Sequence, residues 1–406
     1  MQTRLDETDY NDLVVTRGVI IPDRMRISRY EKIPELGPRI LFFSGGSALN
    51  GVARKLKDYT HNSIHLVTPF DSGGSSAVIR EFFDMPAVGD LRSRMMALAD
   101  ETVLGNPEIL RLFNYRFDKT TDNQILRSRL EAMVAGEDEL TKDILNPMRS
   151  LICNHLGYFL KVMPGAFNLR GASIGNLILV GGYVNQHREL DPIIFLFSEL
   201  VKVQGIVRSI TEDNYHLAAE LEDGTQIIGQ HLLTGKEQPP VTSPIKKLRL
   251  STDLDSLNRV TTTLKKRNRK LIASAELICY PPGSFYSSLV ANLLPYGVAE
   301  CIANNACPKV YIPNRGRDPE QVGMSINDQV DTLLQRLQGQ FEQPVAVTRL
   351  LNFILYDSRK LRGSECLDIK RFSEMGIQII DTPLMSEERP DYYDDLSLVK
   401  AIISLT

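Results

Sequence analysis

Apolar positions in this chain recur with two different periods, and the order in which those periods alternate predicts the architecture. Residues 39–43 are a short, almost wholly apolar run, and 63–68 carry Ile64, Leu66 and Val67; both read as core strands. Each run ends in a glycine- and serine-rich turn. Apolar residues at three- and four-residue spacing then predict helices over about 48–58 and from about 75. Strand, turn and helix repeated in this order predict a doubly wound, mostly parallel α/β sheet. Between 84 and 203 the pattern becomes helix after helix, which predicts a helical insertion. Alternation around turns such as Glu222-Asp223-Gly224 predicts a small β-meander over 204–250, with residues 205–210 as its first strand. The β-α-β order returns from 276, with last strands near 347–356 and 377–381 and a closing helix over 394–405. Residues 1–37 read as a partly ordered N-terminal arm, and 38–406 as one α/β domain.

Composition narrows the function classes. The 406 residues are 43% hydrophobic, enough for a full core, and 7% aromatic with no Trp. A net charge of −3 opposes bulk nucleic-acid binding, which needs a strong positive field. Any phosphate ligand is therefore expected to be small. Cys153, Cys279, Cys301, Cys307 and Cys366 are scattered without a paired spacing, which fits neither a disulfide framework nor a zinc site. A reducing cytoplasm is the simplest expectation. The first fifteen residues lack the order of a signal peptide, and no apolar run approaches the roughly 18 residues of a membrane span.

Candidate chemistry gathers at the turns. Ser44 to Asn50 offers backbone donors at Gly45 and Gly46 and polar groups at Ser47 and Asn50. The second turn, Asp71-Ser72-Gly73-Gly74-Ser75-Ser76, adds a carboxylate that could hold a divalent cation, accept from a ribose diol, or simply close an Asx turn. Asp90 and Arg92, with Arg94 beyond, supply a further carboxylate and guanidinium groups suited to phosphate oxygens. Ser173 to Asn176 opens an apolar helix, where capping is the ordinary explanation. Gly283, Ser284, Tyr286 and Ser288 form a third turn after a strand, with Asn292 further along. Three such turns on one sheet are expected to converge beyond the strands' carboxyl ends. His61 and His65 straddle a strand entrance rather than sharing a helical face, and the basic run 265–270 reads as a solvated helix end.

These segments together resemble the CofD-like family, which contains 2-phospho-L-lactate transferase and YvcK-type nucleotide-sugar-binding proteins. Ser44 to Asn50 matches the family's GGGTGLS-like turn, and Val67 to Ala77 its VTVADDGGSSG segment. The stretches around Gly89–Asp100, Ser173–Leu179, Glu220–Gln230 and Pro281–Leu294 match in order, so the resemblance spans about 39–404. It implies a Rossmann-like core binding a nucleotide diphosphate or nucleotide-sugar-like ligand, and a homodimer.

In the transferase branch it implies Mg2+ held at Asp71, with Asp90 as a second catalytic candidate. A phospholactyl-type group would move to an alcohol. Gly45, Gly46, Ser47, Asn50, Gly73, Gly74, Ser75, Arg92, Asn176, Gly283, Ser284, Tyr286, Ser288 and Asn292 would line the ligand site. Three departures stand out. Asp71-Ser72 replaces the paired Asp, Ser44 replaces the first glycine, and the loop Asn314 to Glu320 carries Arg315 and Arg317, which implies a differently charged ligand. The alternative to a transferase is a regulatory protein that binds a nucleotide sugar such as a UDP-sugar without turnover. A dehydrogenase using Asp71 on a ribose would lack an acid/base pair.

Overall fold

Strand β1 (Ile40–Ser44) is buried along its whole length. Its pleat sends Leu41 and Phe43 into one core and Ile40 and Phe42 into another. It is an inner strand, third from one edge, of a seven-stranded sheet in the computed structural model, which describes residues 18–102, 105–235, 239, 241–316, 318–360, 366–389 and 391–406. The other members are β2 (Ile64–Val67), β3 (Ile206–Ser209), β8 (Leu277–Tyr280), β9 (Lys309–Tyr311), β10 (Phe353–Tyr356) and β11 (Gln378–Asp381). Every pairing is parallel, in the order β11-β10-β9-β8-β1-β2-β3. The chain winds outward from β1 to β3, then returns to the other side of β1 and winds outward again. That reversal puts a switch point between the carboxyl ends of β1 and β8, where open α/β sheets bind ligands.

Helix α1 (Arg24–Lys32) precedes β1, with Asp23 capping the Arg26 N–H. Ile27 joins the core beneath it, and the Asp23 N–H donates to Ser404 Oγ of the last helix at 2.8 Å. This half of the expected N-terminal arm is thus a docked helix, while the expectation for residues 1–17 falls outside the described residues. Helices α2 (Asn50–Leu56) and α3 (Gly74–Phe83) follow β1 and β2.

The helix-rich stretch comprises α4 (Gly89–Ala97), α5 (Pro107–Asn114), α6 (Asn123–Ala135), α7 (Met148–Val162), α8 (Ile174–Asn185) and α9 (Leu190–Leu200). It forms the crossover from β2 to β3 and encloses its own apolar core. Strand β3 therefore corrects the expected meander: residues 206–209 pair with β2 in the large sheet. The antiparallel sheet consists instead of β4 (His216–Leu221), β5 (Gln226–Ile228), β6 (Ile245–Ser251) and β7 (Arg259–Val260), with α10 (Gln230–Leu233) after β5. Leu217, Leu248 and Leu250 pack it into the core shared with Leu41 and Phe43.

Helices α11 (Lys266–Ala273), α12 (Val298–Asn304), α13 (Ile326–Gln338), α14 (Ile369–Glu374) and α15 (Asp395–Ser404) complete the layers. At the start of α11 three residues of the basic run are paired: Lys265 meets Glu212, Arg267 meets Asp191 and Arg269 meets Glu300. His65 is buried against Phe42, its ring centroid 5.0 Å away, and burial holds its pKa well below the ordinary value. No helix among the described residues is long and apolar enough to cross a membrane.

Candidate functional site

The three glycine-bearing turns share one cleft of about 630 Å³ at the switch point. Gly45, Gly46 and Ser47 enter it from β1, Asp71, Gly73, Gly74 and Ser75 from β2, and Gly283, Ser284 and Ser288 from β8. Asp90, Arg92 and Asn176 complete the expected residues that line it.

In the first turn, glycine is required by close packing. A Cβ on Gly45 would stand 2.1 Å from Ser288 Oγ, and one on Gly46 2.2 Å from Asp90 Oδ1. Beneath the turn, the fully buried Arg94 donates from Nη2 to the carbonyls of Gly45 (3.3 Å) and Gly46 (2.9 Å). Burial lowers the Arg94 pKa to about 10, partly opposed by the Asp90 carboxylate, so the guanidinium stays charged near neutrality.

In the second turn, Asp71 Oδ1 accepts from the Gly73 N–H at 3.2 Å, closing an Asx turn while the carboxylate faces the cleft. Gly74 has φ +46°, a conformation suited to glycine, and opens α3, which no side chain caps. The start of this ten-residue helix borders the cleft, leaving its amide dipoles directed at any bound anion. Ser72 turns away. Its buried Oγ lies 2.9 Å from His231 Nδ1 and accepts the His231 N–H at 3.3 Å.

Arg92 is held over the start of α8. Its Nε donates to Asn176 Oδ1 at 2.9 Å and its Nη1 to the Phe113 carbonyl at 3.3 Å. A Cβ on Gly175 would stand 2.7 Å from Arg92 Cδ, so that glycine makes room for the side chain. Burial lowers the Arg92 pKa to about 10, with repulsion from Arg116 acting in the same direction and Asp90 opposing it. Two guanidinium groups kept in each other's field on one wall favour an anionic occupant. Ser173 stands at the N-cap of α8 but makes no side-chain capping bond.

The third turn differs from expectation. Phe285–Val290 forms a π-helical turn whose leading N–H groups already have acceptors. Phe285 donates to Asp318 Oδ2 at 2.7 Å, while Tyr286 and Ser287 donate to Glu320 Oε2 at 2.9 and 2.7 Å. Those donors serve the chain's own carboxylates and not a ligand.

Tyr286 is buried facing the small sheet, its hydroxyl donating to the Ile245 carbonyl at 2.9 Å. Asn292 is buried and ties the π-helical turn to β1 through Ser44 and Ser288 carbonyls, 2.9 and 2.8 Å away. Asn50 donates to Ser93 Oγ at 2.8 Å. None of Tyr286, Asn292 and Asn50 lines the cleft, so these three expectations are corrected. Arg315 does not line it either, and Arg317 lies outside the described residues.

Other cleft residues carry no local sign in the sequence. Arg116, Gln230, His231, Thr234 and Tyr392 reach it from three separate segments. Asn314, Gly316, Asp318 and Pro319 come from the loop after β9.

No group of three or more ligating side chains suited to a metal occurs among the described residues. The donor set, Asp71 and Asp90, fits a cation that arrives with phosphate oxygens and keeps several waters, as Mg2+ does.

The family model described as 2-phospho-L-lactate transferase CofD matches residues 40–385. The chain belongs to the CofD family. Within it, a relative from Thermoanaerobacterium thermosulfurigenes is 27% identical over 376 residues, covering 91% of this chain and 97% of its own. The Bacillus subtilis protein named gluconeogenesis factor is 25% identical over 372 residues, covering 90% of this chain and 97% of its own. The crystal structure of a UPF0052-family protein from Bacillus halodurans has the same fold at TM-score 0.64 and 22% identity, over 90% of this chain and 99% of that one. In this CofD-family chain, the third glycine turn gives its leading N–H groups to Asp318 and Glu320, whereas in the turn after β2 only the Gly73 N–H is given to a carboxylate, Asp71.

Proposed function

We propose that the protein binds a nucleotide diphosphate compound, specifically a nucleotide sugar such as a UDP-sugar, and holds it without turnover. The observation that carries this reading is the pair Ser72 and His231. The residue standing where the family has a second carboxylate is a buried serine tied to His231 of the cleft wall, so this turn offers one carboxylate, Asp71. One carboxylate with an open helix start and two guanidinium groups is a good diphosphate cradle and a poor machine for activating a transferring group. The name gluconeogenesis factor, carried by the Bacillus subtilis relative, describes a metabolic role and no reaction, which favours the same side.

The second reading is a metal-assisted transferase that moves a phospholactyl-type group to an alcohol. It is favoured by Asp71 and Asp90 lining one cleft, where they would share a Mg2+ with the donor's phosphates. Mg2+ would neutralise charge on the diphosphate, while Arg92 and Arg116 orient it.

Calorimetric titration of UDP, GDP and UDP-sugars, with and without Mg2+, tests binding. Phosphorus NMR of the same mixtures with alcohol acceptors tests turnover. Saturable uptake with no nucleotide released above a protein-free control is the expected result. Metal-dependent release abolished by Asp71→Asn would replace this reading with the transferase one, and no uptake of any nucleotide would remove both.

A further inference from the structure

A second cleft, of about 430 Å³, opens on the far side of the π-helical turn from the nucleotide cleft, between β6, β7 and α13. Tyr286, Val290 and Leu294 form its apolar floor. Five cations are among its lining residues, Lys246, Lys247, Arg249, Arg259 and Arg336, with Lys247 and Arg249 alternating with the buried Leu248 and Leu250 along β6. No Asp or Glu lines the cleft, and Glu220, opposite Lys247 across the β4–β6 ladder, is not among its walls.

The arrangement stands out in a chain whose net charge is −3 and whose other basic run, at α11, has acidic partners for Lys265, Arg267 and Arg269. None of Lys246, Lys247, Arg249 and Arg259 makes an ion pair among the described residues. Arg336 is fixed as well as charged, since its Nε and Nη2 donate to the carbonyls of Leu293 (3.3 Å) and Leu294 (3.0 Å). Five like charges around one concavity repel one another, and a multiply charged anion relieves that repulsion.

We propose that this cleft is a second ligand site, which takes a small organic anion bearing two or more negative charges, a phosphate ester or a polycarboxylate. The volume suits a single small molecule rather than an extended chain. The apolar floor receives the carbon skeleton while the cations take the charged groups. Lys246, Lys247 and Arg259 are exposed at the mouth, so they can reach an incoming anion without a change in fold.

The test is calorimetric titration of the full chain with citrate and, separately, with pyrophosphate at low salt. The two probes distinguish carboxylate from phosphate recognition. The wild type is expected to take up one equivalent of at least one probe at this site. That affinity is expected to fall about tenfold or more in Lys246→Ala/Arg259→Ala and to weaken steeply with added salt. A Lys246→Gln/Arg259→Gln variant keeps the aliphatic stems and reads the charge effect even if the alanine variant folds poorly. Arg116→Ala, in the other cleft, is expected to leave this uptake intact. Equal affinity in wild type and both double variants would overturn the proposal. So would uptake lost only in Arg116→Ala, or binding of a DNA oligonucleotide with no uptake of either small anion.

Discussion

The Ser72 hydroxyl and the His231 imidazole are joined at 2.9 Å, linking the turn after β2 to α10, which follows the small sheet's edge strand. The same hydroxyl receives the His231 backbone N–H, so one side chain fixes the start of α10 against the wall of the switch-point cleft. A carboxylate at this position in other members of the family would be free to face the ligand. Here the position is given to holding two segments together.

Ser72→Ala is therefore expected to cost about 1 kcal/mol of folding stability, the usual loss for one buried hydroxyl bond. UDP-sugar affinity is expected to stay within about twofold of wild type, since the removed atom does not face the ligand. Chemical denaturation and calorimetry on the same samples check both halves. A collapse of affinity at unchanged stability would make Ser72 a ligand contact.

Gly46→Ala attacks the opposite wall. The new methyl would stand 2.2 Å from Asp90 Oδ1, so either the carboxylate or the turn must move. We expect a stability loss of about 1–3 kcal/mol from overpacking, and at least about tenfold weaker nucleotide binding because the turn's donors shift. Thermal melting and calorimetry give the two readings. Asp90→Ala combined with Gly46→Ala should recover part of the stability, since it removes the atoms struck.

What the sequence made legible was local. Gly45, Gly46 and Gly74 announce their turns because close packing or a positive φ demands a residue without Cβ, and such a demand is met within a few residues of chain. The parallel sheet was legible for the same reason, since strands buried on both faces are nearly pure apolar runs. Strand β3 was misread because its burial alternates, exposed at Ile206 and buried at Val207, as in a one-sided meander. Tyr286 and Asn292 sit beside a correctly read turn, but the π-helical winding decides which way they point. His231 and Arg116 had no signal at all, being single polar residues that only the tertiary path carries to the cleft.

Arg94 and Asp90 form a coupled support beneath and beside the first turn. Arg94→Met keeps the volume but removes two bonds to the turn's carbonyls and the charge that balances Asp90. The expected loss is about 3 kcal/mol, as for two hydrogen bonds given by a charged donor. A double-mutant cycle with Asp90→Asn is expected to return a coupling of about 1–3 kcal/mol. Additive losses would mean the two side chains act separately.

The π-helical turn is held by a carboxylate that titrates near neutrality. Glu320 is buried, and its pKa is pushed up to about 7, first by burial and then by the neighbouring Asp318, against the N–H groups of Ser287 and Tyr286. An upward shift means that the folded protein holds more protons than the unfolded chain between the ordinary carboxyl value of 4.5 and about 7. Stability from this group is thus complete below that window, falls as pH rises through it, and is lost above about pH 7. The shift corresponds to about 3 kcal/mol. Glu320→Gln keeps an acceptor for the turn's N–H groups and cannot ionise. Denaturant midpoints at about pH 5 and about pH 8 should fall further in the wild type than in the variant. Parallel curves for the two proteins would show that Glu320 ionises at no cost to the fold. Because Asp318 both receives the Phe285 N–H and lines the switch-point cleft, the same titration should loosen the cleft wall. Nucleotide affinity is then expected to decline with rising pH in the wild type and to stay flat in Glu320→Gln.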